Sequence, residues 1–535
     1  MAGITSLPPE ILSDILSYLP RKRYDLHSYP TNPPSEVSAY LPVYATVCKA
    51  WQQHIELQTF REIYVISCEL EYWSKIMTES RRSALREIKY GIVTSEGAEA
   101  AYSRESRFTK EAWEESGKAF TVAIAEFFVL LKKWEEHTPS MSLSLEIADF
   151  YFYSNGQQER KLRLKEIEYS SYLNDYRFYT SMLQLYDPDV ELGPVDDLPK
   201  LKSVASLHLG QLSDELHMTE DSMTRLAMKF PALKKLHLEL GEMHRDNLVD
   251  PDFRYKLAVS LLPLASLSLT HFVIQSYNEP EWYMTNDDPP SILHSGAPGI
   301  DCLSLALYAI SIIPTMKEME IHSFIVSPQL FQPPAIIPMD SEFAYLAKTI
   351  PQWPSLKKYS IQFSDIRPSG SWYFVQHPDN SLPYNSAATG LISYDEFTKS
   401  RTYPQDKAVN ELLGAAGNAK RKMPALQMIS LVSGLGGDDT WMDIRRDRFE
   451  FEATWCKAGG LQSTDLTITS VVPQPLVVSK ETFLAGDRVY WCTGPGRDWR
   501  PMREVEEAWT GNGNQQWFKR FSCSLGGRQY WGELF

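Results

Sequence analysis

The stretch SMTRLAMKFPALKKLHLEL, residues 222–240, carries two different periods in succession. Met223, Leu226, Ala227 and Phe230 recur at three- and four-residue steps, the spacing that puts side chains on one face of a helix. After Pro231 the pattern changes to Leu233-x-x-Leu236-x-Leu238, and its last leucines alternate as on a strand with one buried face. A helical stripe, a proline and a short strand therefore follow one another within a single phrase.

Similar phrases recur as YKLAVSLLPLASLSL (255–269), EFAYLAKTIPQWPSLKKYSIQF (342–363) and ELLGAAGNAKRKMPALQMISL (411–431). Weaker copies are SVASLHL (203–209), GIDCLSL (299–305) and MKEMEI (316–321). A strand-plus-helix unit cannot bury its apolar face alone, so copies are expected to stack. Leu209, Leu238 and Leu269 lie at steps of about thirty residues, which suits leucine-rich repeats. Leu305, Ile321, Ile361 and Leu431 follow unevenly, with excursions over 278–298 and 367–401. The expectation is an irregular leucine-rich-repeat-like solenoid over 199–447, with ordinary α/β packing as the competing reading.

In such an array the leucines of each strand point inward and the residues between them face the other way. That alternation nominates His208, His237, Ser268, Glu320, Ser360 and Ser430 as a ladder for a protein target; solvated strand residues are the plainer reading.

The N-terminus carries a separate helical pattern. Ser6 can cap a helix, Pro8 and Pro9 suit its first turn, and Ile11, Leu12, Ile15, Leu16 and Leu19 form one stripe. Pro30, Pro33 and Pro34 mark an irregular connection over 24–39. A second stretch from about Leu41 places Tyr44, Val47, Cys48, Trp51 and Ile55 on one side, with Phe60 at its end. So small a helical group leaves apolar surface to cover, either by the next domain or by another protein.

Leu7-Pro8-x-Glu10-Ile11-Leu12-x-x-Ile15-Leu16-x-x-Leu19, followed by Val47-Cys48-Lys49-x-Trp51, resembles an F-box, the module that docks substrate receptors on the Skp adaptor of SCF ubiquitin ligases. The resemblance covers about the first sixty residues, and the insertion over 24–39 departs from it. It implies that Leu7, Pro8, Ile11, Leu12, Ile15, Leu16, Val47, Cys48 and Trp51 form the adaptor-facing and core surface. The run Tyr44-Ala-Thr-Val-Cys-Lys-x-Trp51-Gln52-x-x-Ile55-Glu56 is also similar to filamentous-fungal F-box proteins with long C-terminal regions. Leu130-Leu131-x-x-Trp134, Met141-Ser-Leu-Ser-Leu-Glu146 and Met423-Pro-Ala-Leu426 agree with that group loosely.

The bulk numbers fit this reading. Of 535 residues, 43% are hydrophobic and 23% charged, the balance of a packed protein. A net charge of −15 opposes general nucleic-acid binding, because no cationic field is there to release counterions. The longest apolar stretch, Ala119 to Leu131, is too short for a membrane span of about twenty residues and is expected to be a buried helix. Six scattered cysteines without a C-x-x-C pair, no N-x-S/T acceptor and no basic-then-apolar leader favour an intracellular protein with free thiols.

Residues 63–198 are expected to connect the two regions, with a helix over 112–134 and a strand over 141–147. Residues 448–535 are expected to close the array as an aromatic-rich cap, with strands at 448–455, 466–472 and 489–493. The expected fold is therefore α/β (α+β): an F-box-like helical module over 1–62, the connecting region, the solenoid and the cap.

The sequence holds no H-E-x-x-H, G-x-S-x-G or G-x-x-x-x-G-K-[ST]. Repeat spacing alone explains His208, His237 and His271 near successive strands without a metal. The expectation is a non-catalytic receptor without cofactor or metal. Its partners would be the Skp adaptor, through it a cullin-RING ligase, and a protein substrate, with no nucleic acid and no membrane. The alternative is a leucine-rich-repeat-like scaffold working outside a cullin ligase.

Overall fold

The computed structural model describes residues 48–94, 110–152, 197–210, 218–240, 250–276, 289–338, 341–376, 401–434, 450–457, 488–493, 499–510, 520–525 and 528–533. Leu7, Pro8, Ile11, Leu12, Ile15, Leu16 and Val47, the insertion over 24–39 and the expected strand over 466–472 lie outside them. The fold is α/β, built around parallel strands. The chain divides into two compact units. The first comprises Met1–Leu162, Leu192–His208 and Lys229–Ala232; the second comprises Arg163–Glu191, Leu209–Met228 and Leu233–Phe535.

The first unit contains α1 (Lys49–Thr59), β1 (Glu62–Ile66), α2 (Leu70–Ile76), α3 (Glu79–Ala84), β2 (Glu87–Thr94), α4 (Lys110–His137), β3 (Leu143–Phe152) and β4 (Val204–Leu209, through His208). Its strands lie in the order β1-β2-β3-β4, with β1, β2 and β3 mutually parallel. Thr78 caps α3 by accepting from the Arg81 N–H.

Helix α4 buries Phe120, Ile124, Phe127, Phe128, Leu131 and Trp134 but leaves Val122 and Val129 exposed. The apolar run 119–131 thus lies in the expected helix and is buried along one side of it. Tyr90 stacks on Phe127 at 3.9 Å and donates to the Ala123 carbonyl. Glu135 accepts from the Lys202 and Ser203 N–H groups and the Ser203 hydroxyl, pinning the end of α4 to the approach to β4.

The second unit begins with α5 (Glu220–Ala227), β5 (Lys235–Leu240), α6 (Pro251–Leu261), β6 (His271–Ser276), α7 (Cys302–Ser311), β7 (Glu318–Phe324) and β8 (Lys358–Phe363). Four short strands follow: β9 (Ile366–Arg367), β10 (Ser371–Trp372), β11 (Phe374–Gln376) and β12 (Arg401–Pro404). The unit ends with α8 (Asp406–Lys420), β13 (Met428–Gly434), β14 (Glu450–Cys456), β15 (Arg488–Thr493), α9 (Arg503–Thr510), β16 (Arg520–Leu525) and β17 (Arg528–Glu533). Its main sheet runs β5-β6-β7-β8-β13-β14-β15, parallel through β13 and antiparallel in the last two pairs. The antiparallel strands β14 and β15 lie where the C-terminal strands at 448–455 and 489–493 were expected.

Each parallel strand lies next to its predecessor, apart from the β9–β12 detour. Right-handed crossovers, the usual hand, would return successive connections of this order over one face of a sheet. The burial pattern agrees. Leu236, Leu238, Phe272, Ile274, Met319, Ile321, Tyr359 and Ile361 are buried, while the alternating residues remain partly exposed. Parallel sheets are usually covered on both faces and read as continuous apolar runs; among the described residues β5 to β8 instead alternate buried and part-exposed positions, whereas β13 is buried continuously from Met428 to Leu431.

A backbone device repeats with the strands. The Arg61 carbonyl accepts from the Arg86 and Glu87 N–H groups, at the start of β2. In the second unit the Lys234, Thr270, Lys317 and Lys357 carbonyls each accept two successive N–H groups at the start of the next strand. Bending each entry this way satisfies donors that the slanted parallel ladder leaves over.

Two of the expected strands are corrected. In the phrase ending LASLSL, Leu262–Ser266 forms a 3-10 turn, residues 267–270 are irregular, and the strand is β6, which starts at His271. GIDCLSL opens α7, every residue of which is buried. A helix that is apolar all round has no periodic face for a sequence pattern to report.

Candidate interaction face

The strand registers of the second unit place His237, Val273, Glu320, Ser360 and Ser430 in one row across β5, β6, β7, β8 and β13. Four of the six ladder residues, His237, Glu320, Ser360 and Ser430, therefore come together. Ser268 does not: it is exposed before β6, and Val273 occupies its place in the row. Ser430 is buried, and beyond it the row continues to Thr454 on β14 and Tyr490 on β15. His208 lies on β4 of the first unit.

A neighbouring row holds Lys235, His271, Glu318 and Lys358. The Lys358 ammonium lies 2.6 Å from Glu320 Oε1, and His322 Nε2 lies 3.3 Å from Glu320 Oε2. Hydrogen bonding to His322 first, and then to Lys358, outweighs partial burial and lowers the Glu320 carboxyl to about 2. His271 Nε2 lies 3.4 Å from Glu318 and similarly lowers that carboxyl. His237 Nε2 lies 3.5 Å from Glu239.

The sequence reading missed Glu318, His322 and Lys358, and noted His271 only as one of three histidines at repeat spacing. Glu318 and His322 are two residues either side of Glu320 on β7, so period-two alternation could have found them.

Glu320 makes stability depend on pH with a definite sign. Its carboxyl is lowered in the folded protein, so its contribution is present above about 4.5, the ordinary range, and lost as pH falls toward about 2. Glu320→Gln is expected to remove on the order of 2–3 kcal/mol of acid-sensitive stability. Urea midpoints at pH 5 and pH 2.5 check this. Wild type and variant falling equally between those two values would refute the assignment.

In the first unit, Lys89 Nζ lies 3.5 Å from Glu146, 3.9 Å from Glu62 and 4.0 Å from Glu87. Glu62 and Glu87 are direct register partners. Like charges placed opposite one another repel, and Lys89 offsets that repulsion.

Of the expected adaptor surface, Cys48 and Trp51 lie within the described residues. Cys48 precedes α1 and is half-buried, and Trp51 and Ile55 are buried. Arg81 binds Glu56 bidentately, Nε to Oε2 at 3.2 Å and Nη2 to Oε1 at 2.8 Å. Its Nη1 donates to the Ile76 carbonyl at 2.7 Å, and its guanidinium sits 4.5 Å from the Phe60 ring centroid. Among the described residues, no helix is long and apolar enough to cross a membrane.

No protein-family model, no curated protein and no solved structure matches the chain.

Proposed function

We propose that this protein is the substrate-recognition subunit of an SCF-type ubiquitin ligase. Its N-terminal F-box-like helices dock the Skp adaptor and through it a cullin, and the open sheet face holds a protein target. The observation that carries the target half is a parallel sheet whose strands β5 to β8 alternate buried and part-exposed residues, lie in sequential order and start with one repeated carbonyl device. Those features favour a degenerate leucine-rich-repeat-like solenoid over an α/β sheet covered on both sides. The adaptor half rests on the Leu-Pro-x-Glu-Ile and Val-Cys-x-x-Trp segments. On this reading the chain makes and breaks no bonds; it raises the effective concentration of a target lysine beside a loaded ubiquitin carrier. A scaffold using the same face outside a cullin ligase is the alternative.

Co-purification with a fungal Skp adaptor tests the proposal. The full chain should retain the adaptor and a form lacking residues 1–60 should not. Ile11→Asp should abolish retention while circular dichroism stays unchanged, because it would leave a charge unpaired in an apolar contact. Equal retention by the full and shortened forms, or by neither, would reject docking through this end.

A further inference from the structure

We infer that Arg81 is a positioning residue that makes helix α1 and the first strands of the sheet a single rigid body. The inference rests on the proposed function in one respect: it takes α1, with Cys48 and Trp51, as part of the adaptor-docking module.

The connection is short. Phe60 and Arg61 alone join α1 to β1, the Phe60 N–H donates to the Glu56 carbonyl, and the Arg61 carbonyl accepts two N–H groups at the start of β2. A helix leaving a strand through two residues, both hydrogen-bonded, has no linker on which to swing.

Arg81 then fixes the remaining freedom. All three guanidinium nitrogens are engaged: Nε and Nη2 on Glu56, and Nη1 on the Ile76 carbonyl. The planar group also covers the Phe60 ring. It thereby ties the middle of α1, the end of α2 and the α1–β1 corner to α3, its own helix. Arginine suits this task because its fork is planar and its five donors have fixed directions, whereas a lysine could satisfy one of these partners at a time. The Glu56 and Arg81 side chains are each about one-quarter exposed, so the pair is screened less than a surface ion pair. Trp51 and Ile55 of α1 are buried.

A receptor that works by proximity needs this stiffness. Transfer depends on a fixed vector between adaptor and target, and a swinging docking helix would spread the target lysine over many positions. Arg81 fixes the first link of that vector, between α1 and the sheet.

The test uses the full chain with spin labels carried on unnatural amino acids at Gln53 and Ser142, both exposed, and electron–electron distance measurement. Wild type should give one narrow distribution. Arg81→Ala should widen it at least two-fold with an unchanged thermal midpoint, Arg81→Lys should fall between, and Glu56→Arg with Arg81→Glu should narrow it only in part, since a glutamate at 81 remakes the ion pair but cannot donate to the Ile76 carbonyl. A broad wild-type distribution, or an unaltered width in Arg81→Ala, would overturn the inference. A midpoint that falls together with the widening would assign Arg81 a merely structural role and overturn it equally. Adaptor co-purification of the same variants keeps the two ideas separate, because docking can fail while rigidity holds, and the reverse.

Discussion

Asp301→Ala is expected to destabilise the second unit by about 3–5 kcal/mol, because it strands a buried cation. Arg254 is 3% exposed. It donates through Nε and Nη2 to Asp301 Oδ1 at 3.2 and 2.8 Å and through Nη2 to the Ile325 carbonyl at 2.6 Å. Asp301 Oδ2 accepts from the Ser304 hydroxyl, whose oxygen in turn accepts from the Ser327 N–H. The network joins α6, the start of α7 and the segment after β7. Removing the carboxylate leaves the guanidinium in a low-dielectric interior without its counterion, which costs far more than the intact pair contributes. The double variant Arg254→Met with Asp301→Leu should recover most of the loss, since it removes both charges. Urea denaturation of the three variants measures this, and a double variant no more stable than Asp301→Ala would refute the charge argument.

Trp509→Ala should cost about 3–5 kcal/mol, for a different reason. Helix α9 is short and packs on α8, and Trp509 is wholly buried there, its indole N–H donating to the Leu413 carbonyl at 2.8 Å. The Met502 N–H donates to Asn410, the Trp499 indole to Asp406, and the Lys420 ammonium to the Trp509 carbonyl. The truncation leaves a cavity and removes the indole's hydrogen bond to a carbonyl within α8. Gly417→Ala probes the same contact from α8. An added Cβ would lie 2.8 Å from Ala508 Cβ and 2.9 Å from the Trp509 ring. Alanine would gain about 1 kcal/mol of helix propensity, but overpacking of about 1–3 kcal/mol should outweigh it. A Gly417→Ala protein more stable than wild type would show that the two helices do not meet this closely.

The aromatic-rich C-terminal region was expected to close the array. Trp499 and Trp509 are buried against α8 and β14 of their own unit, so these two act as packing residues. That role was legible as composition, but the partner helix was not. The contact joins residues some ninety positions apart, and pairing at that distance leaves no local pattern to read.

By itself the sequence determined which residues alternate. The strands β5, β7, β8 and β13, helix α4 and the helix behind Trp51 follow directly from period two and period 3.6, because burial on one face imposes that period on the residues. It also supplied four members of one ladder row, His237, Glu320, Ser360 and Ser430. Only the tertiary structure decided the register that aligns them, the substitution of Val273 for Ser268, and the helical state of Cys302–Ser311. It also decided the pairings of Arg254 with Asp301, of Lys358 with Glu320, and of Arg81 with Glu56. A segment buried all round carries no period, and a pair of charges distant in sequence carries no spacing. Both are selected by packing and desolvation in the assembled chain, which act on neighbours in space.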